Sequence, residues 1–402
     1  MMPLHPVAAA THLDPYPFYA ELVATRPFYR DAALGLWVAS SARSVRAVLT
    51  SPACLVRPRA EPVPRMFGAL ASGALFGQWA RMNDGPFHGV VRRGLGALIE
   101  RWRAAPGVDV RASARRLLRE GSLQEWVFGW PVHSVGALLG LAPGTLSGVA
   151  EWTGELVKGL VPGAGDAVVL RGGLAAEQLR AEVRSALEAQ TARGGEGGPL
   201  AFLRREVGAS ADAAASVDPE RLVDVVVANA IGLLVQTHDA TAGLIGNTLR
   251  ALMREPSLLA EVAGRPALLP QVLDEVLRYD PPVQNTRRYL AEDTVLEGHA
   301  LAAGEGVLVV LAAANRDARV HREPHRFDIH REPSARLSFG WGAHVCPGAR
   351  LATSLAAGAL EVLLATDLAR HRDAFEDVPF LPLPNARVPL LPALRLAPEE
   401  VG

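Results

Sequence analysis

The sequence predicts a mainly α protein with minor β, folded as one large domain over 1–402, and three observations carry that expectation. A helical pattern runs from Pro219 to about Arg254 and is apolar nearly all round between Leu222 and Leu234, which marks a helix buried in the middle of a molecule. Strand-like pieces are few, short and grouped near the two ends, and no internal repeat is visible. The chain has 402 residues, 49% hydrophobic and 21% charged, which is enough to bury a large core.

The elements follow in order. Leu36 to Ala39 reads as a strand and Ser44 to Leu49 as a helix. Met66 to Trp79 is rich in Gly, Ala and large apolar residues without a clean period, and reads as a mobile apolar loop. Pro86 to about Trp102 is helical, and two more helical pieces lie between Glu151 and Gln190, broken at Pro162-Gly163-Ala164-Gly165. Segments near 62–83 and 151–200 are expected to move for substrate access. The glycines of Ala192 to Pro199 follow no strand and precede no Lys-Ser/Thr, so they read as a plain loop rather than a phosphate cradle. After the central helix, Leu269 to Tyr279 is a helix stopped by Pro281-Pro282. Short strands are expected at Arg288–Leu290, Thr294–Leu296 and Val307–Leu311, then a loop from Ser334 to Pro347 and a last helix from Gly348 to about Leu368. Pro379 to Leu396 is Pro-rich and strand-like.

Composition narrows the function classes. The net charge is −1, so no basic excess points to nucleic acid or an anionic membrane. Lys158 is the only lysine, and arginine carries the remaining positive charge. Cys54 and Cys346 have unrelated surroundings and are not paired, which fits a reducing compartment. The first fifteen residues lack the pattern of a signal peptide, and the apolar stretch around Val225 to Val235 is too short for a bilayer. A cytoplasmic monomer without a membrane anchor is expected.

The chemistry concentrates at Phe339-Gly340-Trp341-Gly342-Ala343-His344-Val345-Cys346-Pro347-Gly348. A lone cysteine beside a glycine is ordinarily a buried structural thiol. A thiolate that binds haem iron instead needs a rigid cradle whose backbone N–H groups point at sulfur, glycines that let the backbone approach, and a helix start nearby. The ten residues resemble the haem-binding loop of the cytochrome P-450 family, Phe-Gly-x-Gly-x-His-x-Cys-x-Gly, with every fixed position present. Glu275-Val276-Leu277-Arg278 is similar to that family's Glu-x-x-Arg, whose two side chains share a helix face, and Arg331 is the candidate third partner. Ala314-Asn315-Arg316-Asp317 with Phe327 resembles the approach to the cysteine loop. This explains His321 and His325 without a metal pair, since Pro324 interrupts any helix between them.

The resemblance runs from about Pro15 to the C-terminus and fits the soluble bacterial branch. It implies the triangular, mainly α cytochrome P-450 prism with haem b held by Cys346 as axial ligand in a haem-thiolate loop over 338–348. His88 and Arg92, within Asp-Gly-Pro-Phe-His-x-x-x-Arg, match positions that hold the haem propionates, as do Arg288 and His344. Phe339, Gly340 and Gly348 complete the cofactor loop. The implied activity is oxidation of a small organic molecule with O₂ and electrons from a ferredoxin or flavodoxin; the arginine-, Ala-, Gly- and Pro-rich composition of a GC-rich genome adds, by association, the expectation of secondary-metabolite tailoring. Arg92, Arg93, Arg101, Arg103 and Arg350 would make the donor-facing side positive.

The central helix departs from the family. Where Ala/Gly-Gly-x-Asp/Glu-Thr-Thr is usual, this chain reads Gln236-Thr237-His238-Asp239-Ala240-Thr241. Asp239 takes the acid position and Ala240 replaces the threonine whose hydroxyl serves proton delivery. Asp239, with His238, Thr241 and water, is left to move protons. Gln236 and Ala240 share a face. Gln236 is therefore expected to orient a polar substrate group near the iron. The expected pocket comprises Phe67, Leu75, Phe76 and Trp79, then Leu233, Gln236 and Ala240, then Val283, Gln284 and Asn385. Alternatives are oxidative phenol or aryl coupling without oxygen insertion, a peroxide-driven enzyme, and a non-catalytic haem sensor.

Overall fold

The computed structural model describes residues 2–104, 110–194, 197–209, 216–332 and 335–397. These form two compact units, each discontinuous in sequence. One comprises Met1–Arg59, Ala114–Val127 and Asp239–Gly402, and the other Ala60–Ser113 and Phe128–His238.

The first unit holds all the sheet found among the described residues. Strands β1 (Phe28–Asp31), β2 (Leu36–Ala39), β3 (Cys54–Leu55), β4 (Thr286–Leu290) and β7 (Gly306–Val309) are ordered β1-β2-β7-β4-β3, while β5 (Thr294–Leu296) and β6 (His299–Leu301) make a separate pair. The β1–β2 hairpin closes where Asp31 Oδ1 accepts the N–H groups of Ala33 (3.0 Å) and Leu34 (3.1 Å), and Gly35 supplies a φ of +63°. Strand β7 runs parallel to β2, with Val38 opposite Leu308, and antiparallel to β4, with Arg288 opposite Val307. All four β7 residues are buried, as an apolar run at the centre of a sheet should be. The helix Ala42–Thr50, started by a reciprocal Ser41–Ser44 capping box, lays Val45, Val48 and Leu49 on the sheet.

The strand expected to reach Leu311 ends at Val309, and Leu311–Ala314 is instead a short buried helix. Pro379 to Leu396 forms no regular strand. Its pairing is limited to single bridges, Phe380 with Pro389 and Val283 with Ala386, because prolines at 379, 382, 384, 389 and 392 remove ladder donors. The last helix runs Ala349–Leu364, followed by a 3₁₀ stretch Asp367–Phe375.

The second unit is helical. Helices Leu146–Gly159 and Asp166–Ala192 break at the predicted Pro162–Gly165 turn and pack so closely that a Cβ on Gly172 would stand 3.0 Å from the Gly159 Cα. The segment expected to be an apolar loop is ordered differently. Arg65–Phe67 is a 3₁₀ turn and Ala71–Gln78 an α-helix. Its glycines conceal that helix from a propensity reading. Gly73 is there for close approach, since a Cβ would meet the Phe67 Cβ at 3.2 Å.

The central helix is unbroken from Leu222 to Arg254. Pro219–Arg254 is long and apolar enough to cross a bilayer, but half of its most apolar window is buried inside the protein. Its buried polar groups are satisfied locally. Asn229 Nδ2 donates to the Gln78 and Val225 carbonyls, and Asn247 Nδ2 to those of Asp280 and Arg387.

Candidate functional site

The cysteine loop is a set of tight turns. The Leu337 carbonyl accepts from Gly340 N–H (2.8 Å), the Phe339 carbonyl from Cys346 N–H (2.8 Å), and the Gly342 carbonyl from Val345 N–H (3.1 Å). Gly340 and Gly342 sit at φ +76° and +70°, where side-chain-bearing residues are strained. A Cβ on Gly342 would come within 2.8 Å of the Leu49 carbonyl oxygen, so the helix Ala42–Thr50 presses directly on the loop. Arg46 of that helix lies 4.9 Å from the Trp341 ring. A Cβ on Gly348 would touch Cys346 Sγ at 3.8 Å, and the helix Ala349–Leu364 starts one residue later. Neither cysteine forms a disulfide. Cys54 is buried, and burial raises its thiol pKa, whereas Cys346 is exposed on its loop.

The loop rests on a buried polar frame. Asn315, fully buried, accepts from Leu337 N–H (2.7 Å) and donates to Ser338 Oγ (2.7 Å), while the Ser338 hydroxyl donates to the Leu277 carbonyl. Arg278 makes a two-pronged pair with Glu275, Nε to Oε2 at 2.8 Å and an NH2–Oε1 bond at 2.7 Å, and donates to the carbonyls of Pro324 and Arg326. Arg331 comes within 3.5 Å of Glu275 and donates to the carbonyls of Arg322, Glu323 and Arg326. Glu275, Arg278 and Arg331 thus meet as expected. The anchoring roles of Asn315 and Ser338 were not foreseen, although Asn315 lies in a noted motif and Ser338 directly precedes Phe339. Ser334 lies outside the described residues.

The cationic candidates occupy both units. In the first, Arg288 is buried on β4, donating to the Arg287 carbonyl at 2.8 Å, and His344 ends a 3₁₀ turn Gly342–His344. In the second, His88 is buried and Arg92 half-buried, one turn apart on the helix Gly85–Ala104.

The central helix distributes its side chains unevenly. Gln236 is exposed, and its Nε2 donates to the Gly232 carbonyl at 2.7 Å; Thr237 Oγ1 donates to the Leu233 carbonyl at 2.8 Å. His238 lies on the opposite side, its ring 5.0 Å from Phe128, so it packs within the helical unit and does not stand beside Ala240. Asp239 and Ala240 are half-buried, and Thr241 is only 2% exposed.

Of the pocket candidates, Phe67, Phe76 and Trp79 form an aromatic row with ring centroids 5.6 and 5.8 Å apart. Trp79 is pinned by an Nε1–H bond to the Ala228 carbonyl (2.9 Å). Leu75 is buried and Leu233 half-buried. Val283 is half-buried, and Asn385 is exposed on a turn whose carbonyl accepts from Gln284 N–H at 2.9 Å. Gln284 itself leaves the set. Its side chain is fully buried, accepting from the Tyr19 hydroxyl (3.1 Å) and donating to the Pro281 carbonyl (2.7 Å).

Residues 223–366 match the family model described as Cytochrome P450, a span that contains Glu275, Arg278, Arg288 and the whole cysteine loop. The crystal structure of CalO2 superposes with a TM-score of 0.78 at 26% identity, covering 97% of each chain. The span 223–366 matches the cytochrome P-450 family, and the chain as a whole shares the fold of solved P-450 proteins. Among curated relatives, the 20-oxo-5-O-mycaminosyltylactone 23-monooxygenase of Streptomyces fradiae is 39% identical over 145 residues, 36% of this chain and 34% of the relative. Cytochrome P-450 107B1 of Saccharopolyspora erythraea is 34% identical over 235 residues, 57% of this chain and 53% of the relative. The matched stretches thus span about a third to a half of these relatives' lengths.

Members of this P-450 family bind haem through a cysteine thiolate. The residues present fit that group. Two left-handed glycines give the loop its shape at no steric cost, and Gly348 keeps a side chain away from the sulfur. In the unit that carries the loop, buried Arg288 and half-buried His344 are side chains of the cationic and hydrogen-bonding kind that propionates need.

Proposed function

We propose that this P-450 is a haem-thiolate monooxygenase that oxidises a small organic molecule in secondary-metabolite tailoring, using O₂ and electrons from a ferredoxin or flavodoxin. The observation that carries the proposal is the cysteine loop, with Cys346 N–H bonded to the Phe339 carbonyl and the loop anchored by Asn315 and Ser338. Haem b, when bound, supplies oxygen activation. Cys346 would ligate its iron, and Arg288, His344, His88 and Arg92 are, by their match to the family's positions, the candidates to hold its propionates. Asp239 would relay protons at its carboxylate, with the buried Thr241 hydroxyl on the same helix as its proposed partner. Supported by the near-neutral charge and the burial of the central helix, the proposal includes a cytoplasmic monomer that binds neither nucleic acid nor membrane.

A second reading, oxidative phenol or aryl coupling, is favoured by one feature. Ala240 offers no hydroxyl where the family uses one to govern oxygen activation. The reduced, CO-bound protein is expected to show the strongly red-shifted Soret band of thiolate ligation. That band should vanish in Cys346→His and persist in Cys54→Ala; the reverse pattern sinks the assignment. Product mass then separates the two reactions, since monooxygenation adds one oxygen and coupling removes two hydrogens.

A further inference from the structure

The amide of Gln236 is oriented by its own helix. The partner of its Nε2, 2.7 Å away, is the Gly232 carbonyl, which can only accept. The nitrogen must therefore face the helix, and the amide oxygen, on the other side of the same planar group, must face outward. Gln236 is exposed, so this oxygen is presented to whatever occupies the space beside it. The neighbourhood is aromatic. A Cβ on Gly232 would lie 3.0 Å from Trp79 Cδ1, so the indole packs against the backbone that orients the amide. The Trp79 N–H is already bound to the Ala228 carbonyl and offers no donor outward. Phe76 continues the row at 5.8 Å from Trp79 and remains half-buried. One turn along the same helix face is Ala240, which adds no polar atom.

We infer that Gln236 is a specificity-determining residue that selects, through its outward amide oxygen, substrates joining an aromatic or polycyclic apolar body to a hydrogen-bond donor: a phenol, an alcohol or an N–H. The reasoning is one of polarity, not shape. A fixed acceptor rewards a donor and is left unpaired by an ether of the same outline. A site that hydrogen-bonds a substrate O–H or N–H discriminates strongly against the analogue that lacks it. The inference rests on the haem-thiolate reading, because the binding signal that tests it is the spin state of that haem.

The test uses the haem-loaded protein and the low-to-high-spin shift as a binding signal, which needs no turnover. The probes are matched pairs: 4-phenylphenol with 4-methoxybiphenyl, 2-naphthol with 2-methoxynaphthalene, and indole with N-methylindole. The donor member of at least one pair is expected to bind about tenfold more tightly, the effect of roughly one net hydrogen bond. Gln236→Leu should bring that ratio to near one while leaving the ether's affinity within about twofold. Gln236→Glu, which keeps an acceptor, should retain the preference. No preference in any pair, or a preference that survives Gln236→Leu, overturns the inference. The CO band of each variant is recorded alongside. Its loss from the wild-type protein would sink the haem-thiolate reading, whereas its presence with absent discrimination would sink only the role of Gln236.

Discussion

Glu275 is 4% exposed, yet its carboxylate accepts two Arg278 N–H bonds and the Asp328 N–H at 2.9 Å, with Arg331 at 3.5 Å. Close by is His321, 3% exposed, whose pKa is pushed down to about 4. Burial is the main cause; Arg278 and Arg331 add to it, while Glu275 and Asp317 oppose it. The sign follows from linkage. Between the ordinary value of 6.5 and about 4, the unfolded chain binds a proton at His321 that the folded chain refuses. The contribution of neutral His321 is complete above the unfolded pKa and is lost as pH falls through that window. Urea midpoints measured from pH 7 to 5 should decline, with His321 responsible for at most about 2 kcal/mol. His321→Gln should flatten that slope; an unchanged slope would place the titration elsewhere. The motif reading named this neighbourhood but not its tension, because burial beside two arginines follows from tertiary packing.

At the level of elements, legibility followed periodicity and punctuation. Leu36–Ala39, Leu269–Tyr279 and Thr294–Leu296 have the bounds the sequence predicts, since each is closed by a turn residue or a proline. Ala71–Gln78 did not read as a helix because Gly73 and Gly77 break its pattern for reasons of close packing, with a Cβ on Gly77 meeting Val63 at 3.4 Å. Gln284 read as pocket-facing by position, and only the fold brings the Tyr19 hydroxyl to it across 265 residues. The cysteine loop was legible because its constraints are local. Its pressure from Leu49 was not, and that contact yields a prediction. Gly342→Ala must accept a left-handed φ of +70° and a Cβ 2.8 Å from a carbonyl oxygen. The expected cost is about 1–3 kcal/mol. It should appear as a lower ratio of bound haem to protein after purification. Gly264→Ala, with nothing within 4 Å of the added Cβ, should leave that ratio unchanged. Equal haem content in both variants would mean that the loop yields without cost.

Across the whole molecule the charges nearly cancel, 41 Lys and Arg against 42 Asp and Glu. A net field therefore cannot steer an acidic electron donor, and any steering must come from local patches. Five arginines were expected to form one, and the structure ranks them. Arg103 is paired with Glu100, and Arg101 lies 4.8 Å from the Phe202 ring, so both are partly engaged within the helical unit. Arg92 is half-buried and belongs with His88. Arg93 and Arg350 are exposed, and Arg350 lies four residues beyond Cys346, in the first turn of the helix that follows the ligand loop. Each of these two is expected to contribute to encounter with a ferredoxin. At low ionic strength, Arg93→Glu and Arg350→Glu should each raise the KM for ferredoxin several-fold, and together about tenfold, by adding repulsion where attraction stood. Near 1 M salt the Debye length falls to about 3 Å, and the wild-type and variant values should converge as the wild-type affinity weakens. Stopped-flow reduction of the haem across a salt series measures both effects. A reduction rate indifferent to salt would mean that the donor docks through apolar contact, and Trp341, 38% exposed beside Arg46, would then be the residue to replace.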